Sequence, residues 1–168
     1  MASGGHDAVY TYRFDWDDGG RFLVMDFRRL FGAAHTLEIP FVFGVWESLG
    51  DADRFLFQKR TRTDREQLSR AMQRYWTSFA RDGVPSCVGA PEWPTHGTGE
   101  GTSMRFDTVN DGGIELISGT DDIDRLAADL AGDPSLGSDE RCRIVAEMGE
   151  WYFARPVREQ LATATGCS

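Results

Sequence analysis

The sequence predicts an α/β chain, a few sheet strands with helices packed on them, and three observations carry that expectation. The stretch Val9-Tyr10-Thr11-Tyr12-Arg13-Phe14-Asp15 sets Tyr10, Tyr12 and Phe14 at period two among aromatic and β-branched residues, the pattern of a strand with one buried face. Residues 64 to 82 repeat Leu68, Met72, Tyr75, Trp76 and Phe79 at helical spacing along one side. Residues 104–107 and 114–117 read as two short strands around Asn110-Asp111-Gly112-Gly113, a hairpin signal.

The remaining elements follow in order. Asp17-Asp18-Gly19-Gly20 ends the first strand, and a loop leads to a glycine- and alanine-rich turn at residues 32–34. Pro40 biases Ile39 toward extended backbone, so no continuous helix is expected from Glu38 to Gly44. Thr63 and Glu66 form a capping-box pair for the long helix, Gly83 suits its C′ position, and Pro85 blocks continuation. The aromatic stripe of that helix, with Trp93 in the irregular loop after it, reads as core. Thr120 can cap a helix bearing Ile123, Leu126, Ala127 and Leu130, closed by Gly132 and Pro134. Asp121 and Asp122 suit the positive end of that helix dipole and need no metal. Ser138 can cap a last helix to about Ala154, with Cys142, Val145, Met148, Trp151 and Tyr152 on its apolar side. No linker divides the chain, so 1–168 reads as one partial domain, ordered over 8–155 and frayed over 159–168.

Composition excludes several classes. A chain of 168 residues, 40% hydrophobic and 27% charged, suits one globular domain. A net charge of -9 argues against nucleic acid or an anionic membrane as partner, and no apolar run is long enough to span a bilayer. The N-terminus has no basic and apolar leader pattern, which gives a cytoplasmic expectation for the chain as it stands. Cys87, Cys142 and Cys167 have no metal-ligand spacing, and their odd number leaves at least one thiol unpaired. No cofactor or metal site is expected.

One of only three histidines sits in Gly32-Ala33-Ala34-His35-Thr36-Leu37-Glu38-Ile39-Pro40-Phe41-Val42-Phe43-Gly44. Small residues before an imidazole leave room for another group, and the apolar run behind it can anchor the loop, an arrangement suited to proton transfer. His6 and His96 lie in glycine-rich or irregular segments and read as exposed.

This segment resembles the one carrying the catalytic histidine in type B carboxylesterases, the α/β-hydrolase family of bacterial esterases and cholinesterases. The family's V-Y-x-Y-x-F strand is matched from Val9 to Phe14, and its L-S-x-x-M-x-x-Y-W-x-x-F-A-x-x-G-x-P helix from Leu68 to Pro85. Its W-P pair resembles Trp93-Pro94. The similarity runs from about residue 8 to 108, with weaker agreement from Arg141 to Trp151. The resemblance implies the C-terminal portion of an α/β-hydrolase fold, incomplete as an independent domain. It assigns His35 as general acid/base, passing a serine proton to the leaving alcohol of a carboxylic ester.

The other members of that triad do not map. A nucleophile elbow needs G-x-S-x-G. Trp46-Glu47-Ser48-Leu49-Gly50 and Asp133-Pro134-Ser135-Leu136-Gly137 lack the first glycine, and Ser103 is followed by Arg105 where the last belongs. Family order places serine and acid before the histidine, where this chain has 34 residues. Glu38 follows His35 too closely to be the acid and reads as a buried structural carboxylate. Met1 is expected to be an internal position of a longer ancestral frame, or to open a truncated reading frame, rather than to start an intact esterase. The expected function is a carboxylic-ester hydrolase segment that takes substrate only when an N-terminal segment completes it. A non-catalytic interaction module and a degenerate fragment are the alternatives. Apolar surface around residues 10–14 and 41–43 is expected to be exposed and to drive self-association.

Overall fold

Backbone pairing begins where the aromatic alternation is densest. In this computed structural model, which describes residues 8–47, 50–96, 102–118, 123–152 and 155–167, strand β1 covers Tyr12–Phe14. It runs parallel to β4 (Ser103–Phe106), with Tyr12 opposite Met104 and Phe14 opposite Phe106. Strand β5 (Glu115–Ile117) returns antiparallel to β4, so the order in this small mixed sheet is β1-β4-β5. The hairpin expected from Asn110 to Gly113 therefore forms, over a loop containing a 3₁₀ turn at Val109–Asp111. Met104 N–H donates to Thr11 O and Asp15 N–H to Phe106 O, both at 3.0 Å. The backbone groups of Tyr12 and Phe14 thus point to the opposite edge, where no described strand lies.

Between β1 and the histidine segment the chain forms two strands and a helix that its pattern does not announce. Strands β2 (Arg21–Phe22) and β3 (Met25–Asp26) pair antiparallel across Leu23 and Val24, both on the surface, with Leu23 at a positive φ of 54°. Helix α1 (Phe27–Phe31) follows directly. Phe27 is buried and stacks on Phe55 at 5.4 Å. Phe55 lies in α3 (Asp53–Leu56).

The expectation of extended backbone before Pro40 fails: Glu38–Phe43 is a helix, α2. Proline is tolerated there because the first turn of a helix has no internal acceptor for its N–H groups, so a residue without one loses nothing. Gly44 closes α2 at φ 66°.

The long helix, α4, spans Arg62–Asp82, starting two residues before the expected 64. The Thr63–Glu66 capping box is absent, because Thr63 lies inside the helix. Glu66 instead accepts from Arg62 Nε at 2.6 Å, and Asp64 accepts from Asn110 at 2.9 Å. Gly83 does take the C′ role, at φ 73° with its N–H on Phe79 O. Leu68, Met72 and Tyr75 are buried against Trp93, Met104 and Phe106, while Phe79 on the same stripe stays 45% exposed. Trp76 and Trp93 pack as expected, each within 5.5 Å of the Phe106 ring centre. Ser69 Oγ donates to Phe41 O at 2.7 Å, which ties the buried face of α2 to α4.

Chain contacts divide the protein into two compact units, 1–118 and 119–168, where the sequence read as one partial domain. In the second unit, α5 (Ile123–Gly132), α6 (Ser138–Tyr152) and α7 (Arg155–Thr165) meet around Ala127, Val145 and Leu161. Thr120, Asp121 and Asp122 lie outside the described residues. The end expected to fray from 159 is largely helical. Leu161 is 1% exposed, and Cys167 forms a disulfide with Cys142 across 25 residues. Closing a loop of that length is worth about 3.5 kcal/mol in the chain-entropy account. Cys87 is the free thiol.

Candidate functional site around His35

The histidine turn is held from both sides. Gly32, at φ 51°, closes α1 with its N–H on Arg28 O at 2.9 Å. Leu37 N–H then donates to Ala34 O and Ile39 N–H to Thr36 O, both at 3.2 Å, which folds residues 34–39 into a tight turn. Thr36 adopts a φ of 80°, sparsely populated for a β-branched residue and a local strain. Leu37 and Phe41 are 5% and 0% exposed, so the segment is pinned in the core just after the histidine. His35 itself is exposed. A rigid turn with a free imidazole on top can accept and return a proton without rearranging its backbone.

No described residue hydrogen-bonds the His35 ring. The described serines are engaged elsewhere or lie away from it: Ser69 on Phe41 O, Ser78 on Tyr75 O at 2.9 Å, Ser103 paired with Thr11 at 2.8 Å. Of the two elbow-like segments, Ser135 bonds Asp133, and Ser48 lies outside the described residues. Glu38 is half-buried rather than fully buried. Its charge adds to desolvation in raising the pKa of the Tyr12 phenol. His6 lies outside the described residues. His96, expected to be exposed, is half-buried: its N–H donates to Val9 O at 2.6 Å, and its Nδ1 lies 3.1 Å from Thr11 Oγ1. The expected exposure over residues 41–43 is split, because Phe41 is core whereas Phe43 is 73% exposed.

The structure assembles a feature that sequence reading treated as separate turns. A cleft of about 340 Å³ beside Gly32 and Ala33 is walled by Asp15, Asp17, Asp107, Asp111 and Arg28. Asp17, Asp18 and Asp111 each bring a carboxylate oxygen within 4.8 Å of the others, a spacing a hard cation could use. Arg28 already serves them, with Nε 3.0 Å from Asp17 and Nη2 3.9 Å from Asp111. Burial, then the Asp111 charge, raises the pKa of Asp18. Burial also pushes Asp107 up to about 6, against the Thr108 N–H that its carboxylate accepts at 2.7 Å. The parts lie some ninety residues apart in sequence, and the β1–β4 pairing brings them together.

A group whose pKa is raised by folding stabilises the fold below its unfolded value and loses that contribution as pH rises through the folded value. Asp107 should therefore contribute most below about pH 4 and least above about pH 6. Asp107→Asn keeps the acceptor for Thr108 and cannot ionise. Melting temperatures across that window should fall for the native chain relative to the variant. Parallel curves would show that Asp107 ionises as freely folded as unfolded.

A second cleft, about 330 Å³, lies between α4 and the loops at 87–91 and 107–114, walled by Leu68, Arg74, Cys87 and Ile114. His35 lines neither cleft.

Comparison with known proteins gives this geometry a family. The model of the carboxylesterase family matches residues 1–118, so the weaker agreement expected from Arg141 to Trp151 falls outside the match. Carboxylesterase 5A of Mus musculus is 34% identical over 103 residues, covering 55% of this chain and 17% of that protein. Cocaine esterase of Homo sapiens is 42% identical over 62 residues, covering 37% of this chain and 10% of that one. Among solved structures, PNB esterase is similar with 27% identity and a TM-score of 0.48, over 70% of this chain and 20% of that chain. The Geobacillus stearothermophilus carboxylesterase gives 30% identity and a TM-score of 0.47, over 71% and 21%. The chain thus spans about a fifth or less of the length of the proteins it matches. With a mixed sheet, packed helices and a family match over its first 118 residues, the chain is a member of the carboxylesterase family.

Proposed function

We propose that this chain is the C-terminal segment of a serine carboxylic-ester hydrolase, with His35 as its general acid/base. The observation that carries the reading is the exposed imidazole on a turn fixed by buried Leu37 and Phe41, inside the family-matched stretch. The serine and the carboxylate partner come from an upstream segment. Its serine Oγ–H gives a proton to His35 as the oxygen attacks the ester carbonyl. His35 then returns the proton to the departing alkoxide, and water repeats the cycle on the acyl-enzyme. The carboxylate orients the ring and stabilises the imidazolium. The upstream segment docks on the open edge of β1 and on the apolar side chains beside it, where Tyr12, Ile39 and Phe43 are 41%, 46% and 73% exposed.

Co-folding with an upstream family segment that carries G-x-S-x-G and the acid tests this. Hydrolysis of a p-nitrophenyl ester is expected from the mixture and not from either part. Hydrolysis by this chain alone, with a fluorophosphonate attached to one of its own serines, would overturn the assignment of the nucleophile to the upstream segment. Specific binding of a partner that leaves the mixture inactive would select the interaction-module alternative.

A further inference from the structure

The second unit lies beyond the family match. Among residues whose side chains are described, its buried apolar core is Ala127, Val145 and Leu161, against twelve residues in the first unit. A unit of about fifty residues seldom gains enough from a hydrophobic core alone to outweigh its conformational entropy. The Cys142–Cys167 disulfide adds a cross-link, tying α6 to Cys167 two residues past α7. The bond is not sealed in the interior. Both cysteines are half-buried and line a cleft of about 340 Å³ together with Arg155 and Arg158. Arg155 is paired with Glu159 at 3.0 Å. Arg158 has no carboxylate partner among the described residues, and its buried Nε lacks an acceptor.

We propose that this disulfide is a reducible staple on which the fold of the 119–168 unit depends, and that the Arg158 cleft admits an anionic small thiol to open it. A thiolate entering the cleft attacks one Sγ, the S–S bond breaks, and the other cysteine leaves as thiolate. A second thiolate attacks the mixed disulfide, releasing the remaining cysteine and an oxidised dithio compound, so that two electrons pass from the small thiol to the protein. The positive charge of Arg158 favours both the incoming anion and the leaving thiolate. In a thiol-rich compartment, such as the cytoplasm, the unit is then conditional. In an oxidising one it is permanent.

Alkylation of the unreduced protein should label one cysteine, and three after reduction. Reduction should remove about half of the α-helical far-UV signal, the share held by α5, α6 and α7. Trypsin should then cut at Arg141, Arg143 and Arg158, while the buried Arg65 in the first unit stays protected. Cys167→Ala should show the same state without reductant. Arg158→Ala should slow reduction by glutathione about threefold and reduction by mercaptoethanol, whose only charge is its thiolate, by clearly less. Three labelled cysteines before reduction, or full helicity after it, would overturn the staple. Equal slowing with both thiols would overturn the role of Arg158.

Discussion

In an esterase completed by an upstream segment, His35→Ala is expected to lower kcat/KM by about a thousandfold or more, because a triad serine without its base is scarcely nucleophilic at neutral pH. Stability should barely move. The ring is exposed and bonded to no described residue, and such surface substitutions usually fall within about 0.5 kcal/mol. That pairing of a large kinetic loss with an unchanged melt separates a catalytic role from a structural one. External imidazole should restore part of the rate by supplying the missing base. Activity within tenfold of the native mixture would remove His35 from the mechanism.

Phe41→Ala is expected to do the reverse. Its ring is fully buried and meets Phe14, Trp16 and Trp46 at centroid distances of 5.0, 5.1 and 5.0 Å. Deleting such a side chain typically costs about 3–5 kcal/mol through lost burial and the cavity it leaves. That is a large fraction of what holds a small domain folded. Denaturant titration should show the loss in the first unit, and the histidine turn, two turns of backbone away, should lose its anchor with it. Phe43→Ala, two residues along but 73% exposed, is the internal control and should cost about 0.5 kcal/mol or less. Similar losses for both would mean that the aromatic cluster contributes little packing.

The two substitutions also mark what was legible in the sequence. Elements with a strong period of their own were readable: β1 from Tyr10, Tyr12 and Phe14, α4 from its five-residue stripe, α5 from its apolar face, and α6 from Cys142 and Val145, the side chains of Met148, Trp151 and Tyr152 lying outside those described. Their ends were less so. The capping pair at Thr63 and Glu66 lost to the Arg62–Glu66 ion pair, an i,i+4 contact that forms because the helix already starts at Arg62. The helix through Pro40 was misread because the rule against helix before proline is weakest in a first turn, and position within the turn is set by Ser69 and Phe41 meeting across α2 and α4. Strands β2 and β3 were missed because Leu23 and Val24 are not turn-forming types. His35 stood out through its neighbours in sequence. The acidic cleft did not, because Asp17 and Asp107 become neighbours only once β1 pairs with β4.

The edge of β1 that no described strand covers has a consequence in time. A bare row of N–H and C=O groups is a template for whichever strand arrives first. If an upstream strand is already in place when β1 emerges from the ribosome, the sheet grows inward and the template vanishes. When β1 is made alone, copies of the same chain are the nearest strands. Yield of soluble protein should then depend on the order and concentration of synthesis, a kinetic contest in which expressing the two segments together is worth more than mixing them afterwards.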